Sequence, residues 1–287
     1  MEKSKVLIVG GTGYLGKRLV KASLTEGHET YVLHRPEIGV DIEKVQMLLS
    51  FKAQGAHLVA SSFDDHRSLV DSVKLVDVVI CAISGVHIRS HQILLQLKLV
   101  DAIKEAGNLK RFLPSEFGTD PSRMENAMEP GRVTFDDKMA VRKAIQEAGI
   151  PFTYVSANCF AGYFLGGLCQ PGLILPPRDS VNLLGDGNQK GTSDPQILVA
   201  NNIWTPYVAK VTLLGVLTHQ SEVQLRARAM QVNGQNYAEQ VGLTHYFHVC
   251  YEGCLTNFEI GDEGEEASKL YPEVKYTNVE DYLKRYI

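Results

Sequence analysis

The first 156 residues alternate between short apolar runs and stretches with helical spacing. Strand-like runs fall at Lys5–Gly10, Thr30–His34, His57–Ala60, Val76–Ile83, Arg111–Pro114 and Phe152–Ser156. Helix-length stretches lie between them at Leu15–Glu26, Ile42–Phe51, His66–Ser72, Ser90–Ala106 and Asp136–Ala148. The strand runs, such as Val76-Asp77-Val78-Val79-Ile80, are nearly continuous rather than alternating, as strands covered on both faces must be. Parallel neighbours need crossover helices, so the pattern predicts an α/β chain with a doubly wound parallel sheet. After Ser156 the regularity fades. Glycine and aromatic residues crowd Gly162–Gly172, and Pro176-Pro177 marks a turn. Two short helices are expected at Glu263–Leu270 and Val279–Tyr286, on either side of Pro272. A boundary near residue 157 divides a first domain, 1–157, from a smaller C-terminal lobe, 158–287, whose later strands are free to return to the main sheet.

A chain of 287 residues suits one large domain with a dependent lobe. The net charge of −4 comes without any basic block, which argues against nucleic acid and anionic membranes as partners. No apolar run approaches the roughly 18 residues of a membrane span, and Lys5–Gly10 is too short for a secretory signal. The five cysteines (Cys81, Cys159, Cys169, Cys250 and Cys254) are scattered and odd in number. They read as reduced thiols in a cytoplasmic protein. Cys250 and Cys254 lack histidines spaced to complete a zinc site, so no metal is expected.

Candidate chemistry begins at Gly10-Gly11-Thr12-Gly13-Tyr14-Leu15-Gly16, directly between the first apolar run and the first helical stretch. Glycines there permit a tight turn and let the backbone approach a pyrophosphate. The amides at the helix start then receive the phosphates, as in a Rossmann dinucleotide site. The second strand ends in Leu33-His34-Arg35-Pro36, where an NAD site usually carries an acid. Arg35 instead suits a 2′-phosphate, with Lys44 as a second cation, which makes NADPH the expected cofactor. The fourth strand leads into Ser84-Gly85-Val86 and the fifth into Pro114-Ser115-Glu116-Phe117-Gly118. In a doubly wound fold such segments line the nicotinamide site.

The Tyr-x-x-x-Lys pair of many short-chain reductases is missing from the helix after the fifth strand. Its one literal match, Tyr271 to Lys275, contains Pro272 and lies in the tail. That helix offers Lys138 and Arg142 instead, four apart and on one face. Burial and a guanidinium one turn away both favour the neutral amine, so Lys138 could remove a phenolic proton. Taken alone, it reads more simply as a solvated lysine of an amphipathic helix.

These residues carry a resemblance. The glycine loop, Arg35-Pro36-Glu37, Phe112–Gly118 and the Lys138 helix resemble the plant phenylpropanoid reductases, which are atypical, NmrA-like short-chain reductases. That family holds the isoflavone, phenylcoumaran benzylic ether and pinoresinol–lariciresinol reductases. The segments Ser84–His91, Ser156–Phe164 and Glu252–Ile260 are most similar to its lignan-reducing branch. The resemblance implies that Lys138 is the general base and that Arg142, Asn158 and Phe160 join the cofactor site. It also implies that His245 lies by a small phenolic substrate, a lignan, walled by Phe160, Tyr163 and Phe164. From the residues alone, His245, His248 and these aromatics read equally well as core.

The implied reaction is NADPH-dependent opening of a benzylic ether: phenol deprotonation, quinone methide formation and hydride addition. For lignans this leads from pinoresinol through lariciresinol to secoisolariciresinol. Isoflavone or phenylcoumaran reduction is the alternative within the family. A non-catalytic NADP(H)-sensing protein is the alternative outside enzymes. The resemblance breaks between Gly191 and Asn236, and the chain is shorter than is usual for the family. This stretch is expected to be the least ordered, and to lower activity. Within it Leu213-Leu214-Gly215-Val216-Leu217 is apolar but has no evident partner strand. The assembly is left open, a homodimer included.

Overall fold

The computed structural model describes residues 3–84, 92–157, 180–184, 216–220, 237–246, 248, 260, 262 and 264–277. Five strands, β1 (Lys5–Val9), β2 (Glu29–His34), β3 (His57–Ala60), β4 (Val78–Cys81) and β5 (Arg111–Leu113), form one parallel sheet in the order β3-β2-β1-β4-β5. Helices α1 (Gly16–Thr25), α2 (Ile42–Ala53), α3 (His66–Lys74), α4 (Leu95–Ala106) and α5 (Val133–Glu147) follow the strands in turn. Strand order reverses between β1 and β4, which makes that junction the switch point of a doubly wound fold.

The continuous apolar run of β1 has a direct physical cause. Val6 and Ile8 point into a core with Val20 of α1 and Leu48 and Phe51 of α2. Leu7 and Val9 point the other way, into a core with Leu69 of α3, Leu99 of α4, Phe112 of β5 and Ile145 of α5. Both faces of the strand are therefore dry. The helix starts are set by local chemistry: Asp41 caps α2 by accepting from the Lys44 amide at 3.1 Å, and Asp65 caps α3 by accepting from Ser68 at 3.1 Å.

Three expectations need correction. The run Phe152–Ser156 is not a sixth strand; it makes a single parallel bridge, Phe112 to Phe152. The Phe112 amide donates to Pro151 O and the Thr153 amide to Phe112 O, but β5 spans three residues and Pro151 has no N–H to extend the ladder. Among the described residues the later strands β6 (Ser180–Leu184) and β7 (Val216–Gln220) pair in parallel with each other. Val216–Gln220 thus has a partner after all, supplied by a short segment outside the atypical stretch. The third concerns Glu263–Leu270, where among the described residues helix covers Ala267–Leu270 (α7), with Glu266 extended at its start. Val279–Tyr286, and 191–236 apart from Val216–Gln220, lie outside the described residues.

The chain forms two compact units, Met1–Phe117 with Thr134–Ser156, and Gly118–Val133 with Ala157–Ile287. The second contains α6 (Tyr237–Tyr246). No helix among the described residues is long and apolar enough to cross a membrane.

Two-sided burial of β1 makes a testable contrast. Leu7→Ala and Ile8→Ala, each at fully buried positions on opposite faces, should each cost about 2–5 kcal/mol in urea denaturation. Leu49→Ala, at an exposed position of α2, should cost under about 0.5 kcal/mol. A mild loss at either Leu7 or Ile8 would mean that one face of the sheet is not packed as described.

Candidate functional site

The glycine loop occupies the switch point. Gly10 follows β1 with φ at +81°, and a Cβ there would come within 2.7 Å of Ala82 O, just past β4. Only glycine allows that backbone angle and that approach without strain. A Cβ on Gly16 would overlap the Gly10 carbonyl, so the start of α1 lies directly against the turn. The Gly13 amide donates to Gly10 O at 3.0 Å, closing the loop, while Gly13 and Tyr14 are exposed and Thr12 and Leu15 half-buried. No side chain caps α1 at Leu15, and its first turn holds no acid. A helix start in this condition suits an anion. The loop therefore fits a dinucleotide pyrophosphate, on geometry that a side chain would destroy.

Arg35 lies just past β2, exposed, as the residue that opens the short 3-10 turn Pro36–Val40. Lys44, in the first turn of α2, pairs with Asp41 at 2.5 Å. The Lys44 side-chain and backbone hydrogen bonds hold the Asp41 carboxyl below its ordinary range, and the Arg35 charge adds to this. The two cations expected at a 2′-phosphate therefore share the neighbourhood of one carboxylate.

At the ends of β4 and β5 the chain is tied down at several points. Ser84 is exposed after β4, and Gly85 lies outside the described residues. Ser115 donates its amide to Gln96 Oε1 at 2.7 Å and its hydroxyl to Ile83 O at 2.6 Å. Gln96 is itself buried in α4 and donates to Ile93 O. The Glu116 amide donates to Pro114 O at 2.8 Å, and Phe117 sits in the left-handed region at φ +36°. A non-glycine residue there holds strain of roughly 1–3 kcal/mol, which the surrounding bonds must offset.

Helix α5 meets this turn through two side chains on one face. Lys138 Nζ donates to the Glu116 carbonyl oxygen at 2.8 Å. Arg142 Nε and Nη2 donate to the two Glu116 carboxylate oxygens at 2.9 and 3.1 Å, with both side chains almost fully buried. The guanidinium lies 4.2 Å from the Tyr154 ring centroid. The Tyr154 hydroxyl is buried without a hydrogen-bond partner among the described residues, and burial pushes its pKa up to about 12, with the Arg142 charge pulling the other way. Arg142 was expected to favour a neutral Lys138 amine through its like charge. The guanidinium is met by the Glu116 carboxylate.

The second unit holds the histidines. His245, in the last turn of α6, donates from Nε2 to Gly131 O at 3.0 Å, and the buried His248 accepts the Met128 amide on Nε2 at 2.9 Å. Both brace the backbone of 128–131 within that unit. Asn158, Phe160, Tyr163 and Phe164 lie outside the described residues, as do Cys250 and Cys254. Among the described residues no group of three His, Cys, Asp or Glu could hold a metal.

Sequence reasoning passed over Gln96, Tyr154 and the Glu116–Arg142 pairing. A signal for the pair was present: Phe135, Lys138, Arg142 and Ile145 share one stripe of α5, and an arginine on an apolar stripe needs a buried acid.

Comparison with known proteins fits this geometry. Residues 2–197 match the model of the NmrA-like family. A bifunctional pinoresinol-lariciresinol reductase from Linum album is 68% identical, over 99% of this chain and 94% of that one. Another from Forsythia intermedia is 64% identical over the whole of both chains. The structure of AtPrR2 with NADP+ and (+)-pinoresinol superposes with a TM-score of 0.89 at 51% identity, covering all of both chains. The Linum album alignment runs over 315 positions against 287 residues here, so at least 28 positions (315 less 287) have no counterpart in this chain. With a glycine loop at the switch point, a lysine held at the end of β5, and identity of this order along its length, the chain belongs to the NmrA-like family, among the pinoresinol-lariciresinol reductases.

Proposed function

We propose that this protein is an NADPH-dependent reductase that opens the benzylic ethers of lignans, taking pinoresinol to lariciresinol and then to secoisolariciresinol. The observation that carries the reading is the Lys138 amine, held at 2.8 Å from the Glu116 carbonyl at the carboxyl edge of the sheet. The strand that ends beside the glycine loop, β4, pairs directly with β5, whose end carries Glu116.

On this reading the cofactor residues come chiefly from the first unit. Gly10, Gly11, Thr12, Gly13, Tyr14, Leu15 and Gly16 take the pyrophosphate, Arg35 and Lys44 the 2′-phosphate, and Ser84, Gly85, Ser115, Phe117, Asn158 and Phe160 line the nicotinamide end, which the Glu116–Arg142 pair supports without binding the cofactor itself. Bound there, NADPH supplies the hydride. The second unit, with Phe160, Tyr163, Phe164 and His245, takes the small phenolic substrate. Lys138 accepts the phenolic proton as the benzylic C–O bond breaks to leave a quinone methide. The freed alkoxide oxygen takes a proton from water to become the new hydroxyl. Once hydride has reached the benzylic carbon, Lys138 returns its proton to the ring oxygen as aromaticity is restored. A buried Tyr154 phenol, with its pKa raised to about 12, stays protonated at neutral pH and does not compete as a base. The protein works in the cytoplasm, and a homodimer is the assembly to look for.

A second reading, a non-catalytic NADP(H)-binding protein, draws on the shortfall of at least 28 positions against the Linum album reductase. Product analysis with pinoresinol, a phenylcoumaran and an isoflavone, each with NADPH, separates the two readings and the branches of the family. Product from pinoresinol alone supports the lignan reading. Cofactor binding without any product supports the second.

Two variants test the residues. Arg35→Ala should narrow the preference for NADPH over NADH by about ten- to a hundredfold, since charge-assisted hydrogen bonds contribute roughly 1.5–3 kcal/mol. NADH affinity should barely change. Equal dissociation constants for both cofactors in the unaltered protein would remove Arg35 from this role. Lys138→Ala should lower kcat by about 10²–10⁴ while NADPH binding stays within a few-fold. Retained turnover would move the base elsewhere.

A further inference from the structure

A buried ion pair is poor evidence for stability, because the cost of desolvating both charges rivals their attraction. The Glu116–Arg142 pair therefore needs another reason to be where it is. Glu116 presents two acceptors to two residues one helical turn apart: its carbonyl to Lys138 Nζ and its carboxylate to the Arg142 fork. The peptide that bears the carbonyl is fixed from the other side as well. Ser115 is bonded to Gln96 and Ile83, the Glu116 amide to Pro114 O, and Phe117 is held at φ +36°.

A lysine stem is long and flexible, and a neutral amine can act as a base only along its lone pair. A hydrogen bond from the amine to a rigid carbonyl removes most of its rotational freedom. That carbonyl is rigid here because the carboxylate of the same residue is locked to α5, the helix that carries Lys138. The turn and the helix are thus tied by one residue at two points.

We propose that Glu116 is a positioning residue: its ion pair with Arg142 fixes its own carbonyl, which holds the Lys138 amine in one orientation for proton transfer. The proposal rests on Lys138 being the base. It differs from a direct role in binding the cofactor, and the two give different kinetics.

The test uses the full-length protein with pinoresinol and NADPH. Glu116→Gln keeps the side-chain volume and the carbonyl but removes the charge, and Arg142→Gln removes the fork. Each should lower kcat about ten- to a hundredfold, the loss typical of a misplaced reacting group. KM for pinoresinol and the Kd for NADPH should stay within threefold. The double variant should lose little more than the worse single one, since the two act as a unit. Should either Gln variant fail to fold, Arg142→Lys keeps a cation without the planar fork and should lower kcat several-fold with Kd unchanged.

Unchanged kcat in the variants, alongside an inactive Lys138→Ala, would overturn the positioning role and leave the base intact. A tenfold weaker NADPH Kd with full kcat at saturation would make the pair a cofactor contact instead. An active Lys138→Ala would instead overturn the reading beneath it.

Discussion

A guanidinium buried at the carboxyl edge of a parallel sheet cannot stand alone, and much of this site follows from how Arg142 is met. Its partner, Glu116, comes from the turn after β5, so charge pairing draws that turn onto α5. Removing one partner of such a pair typically costs about 3–5 kcal/mol, because the other is left charged and dry. That penalty is larger than the strain of a single left-handed residue, so Phe117 can be held where an unrestrained chain would relax. The carbonyl that reaches Lys138 belongs to the same turn.

The sheet explains why these groups share one edge. Parallel strands all end on the same side, so the glycine loop after β1, Ser84 after β4 and the Ser115-Glu116 turn after β5 collect there. The order β3-β2-β1-β4-β5 makes β1 and β4 neighbours, and the close approach of Gly10 to Ala82 seals their junction. A helix start suited to anions and a lysine suited to proton transfer are thereby built from one set of packed elements.

What could be read in advance follows the strength of the local signal. β1 was legible because both its faces are buried and its apolar run is unbroken, and β3 because its short apolar run is isolated between turns. Phe152–Ser156 misled because β-branched and aromatic residues signal a strand, whereas the missing donor at Pro151 decides how far a ladder extends. The β6–β7 pairing was invisible: backbone bonds between distant short segments leave no periodicity to read. At the site, the positions of the glycine loop and Arg35 were legible because each follows directly on a strand whose apolar run is plain. The Glu116–Arg142 pair joins residues 26 apart in sequence, and only the amphipathic wheel of α5 hinted at it. Gln96 and Tyr154 act through burial, which sequence spacing does not report.

The central claim is that reduction begins when Lys138 removes a phenolic proton. A lignan whose para-hydroxyl is methylated keeps its shape and apolar surface but has no such proton, so its ether cannot be expelled through a quinone methide. Pinoresinol and its dimethyl ether, offered separately at equal concentration with NADPH and followed by chromatography, decide the matter. The account predicts reduced product from pinoresinol, none from the dimethyl ether, and competitive inhibition when both are present. Comparable turnover of the two would contradict it.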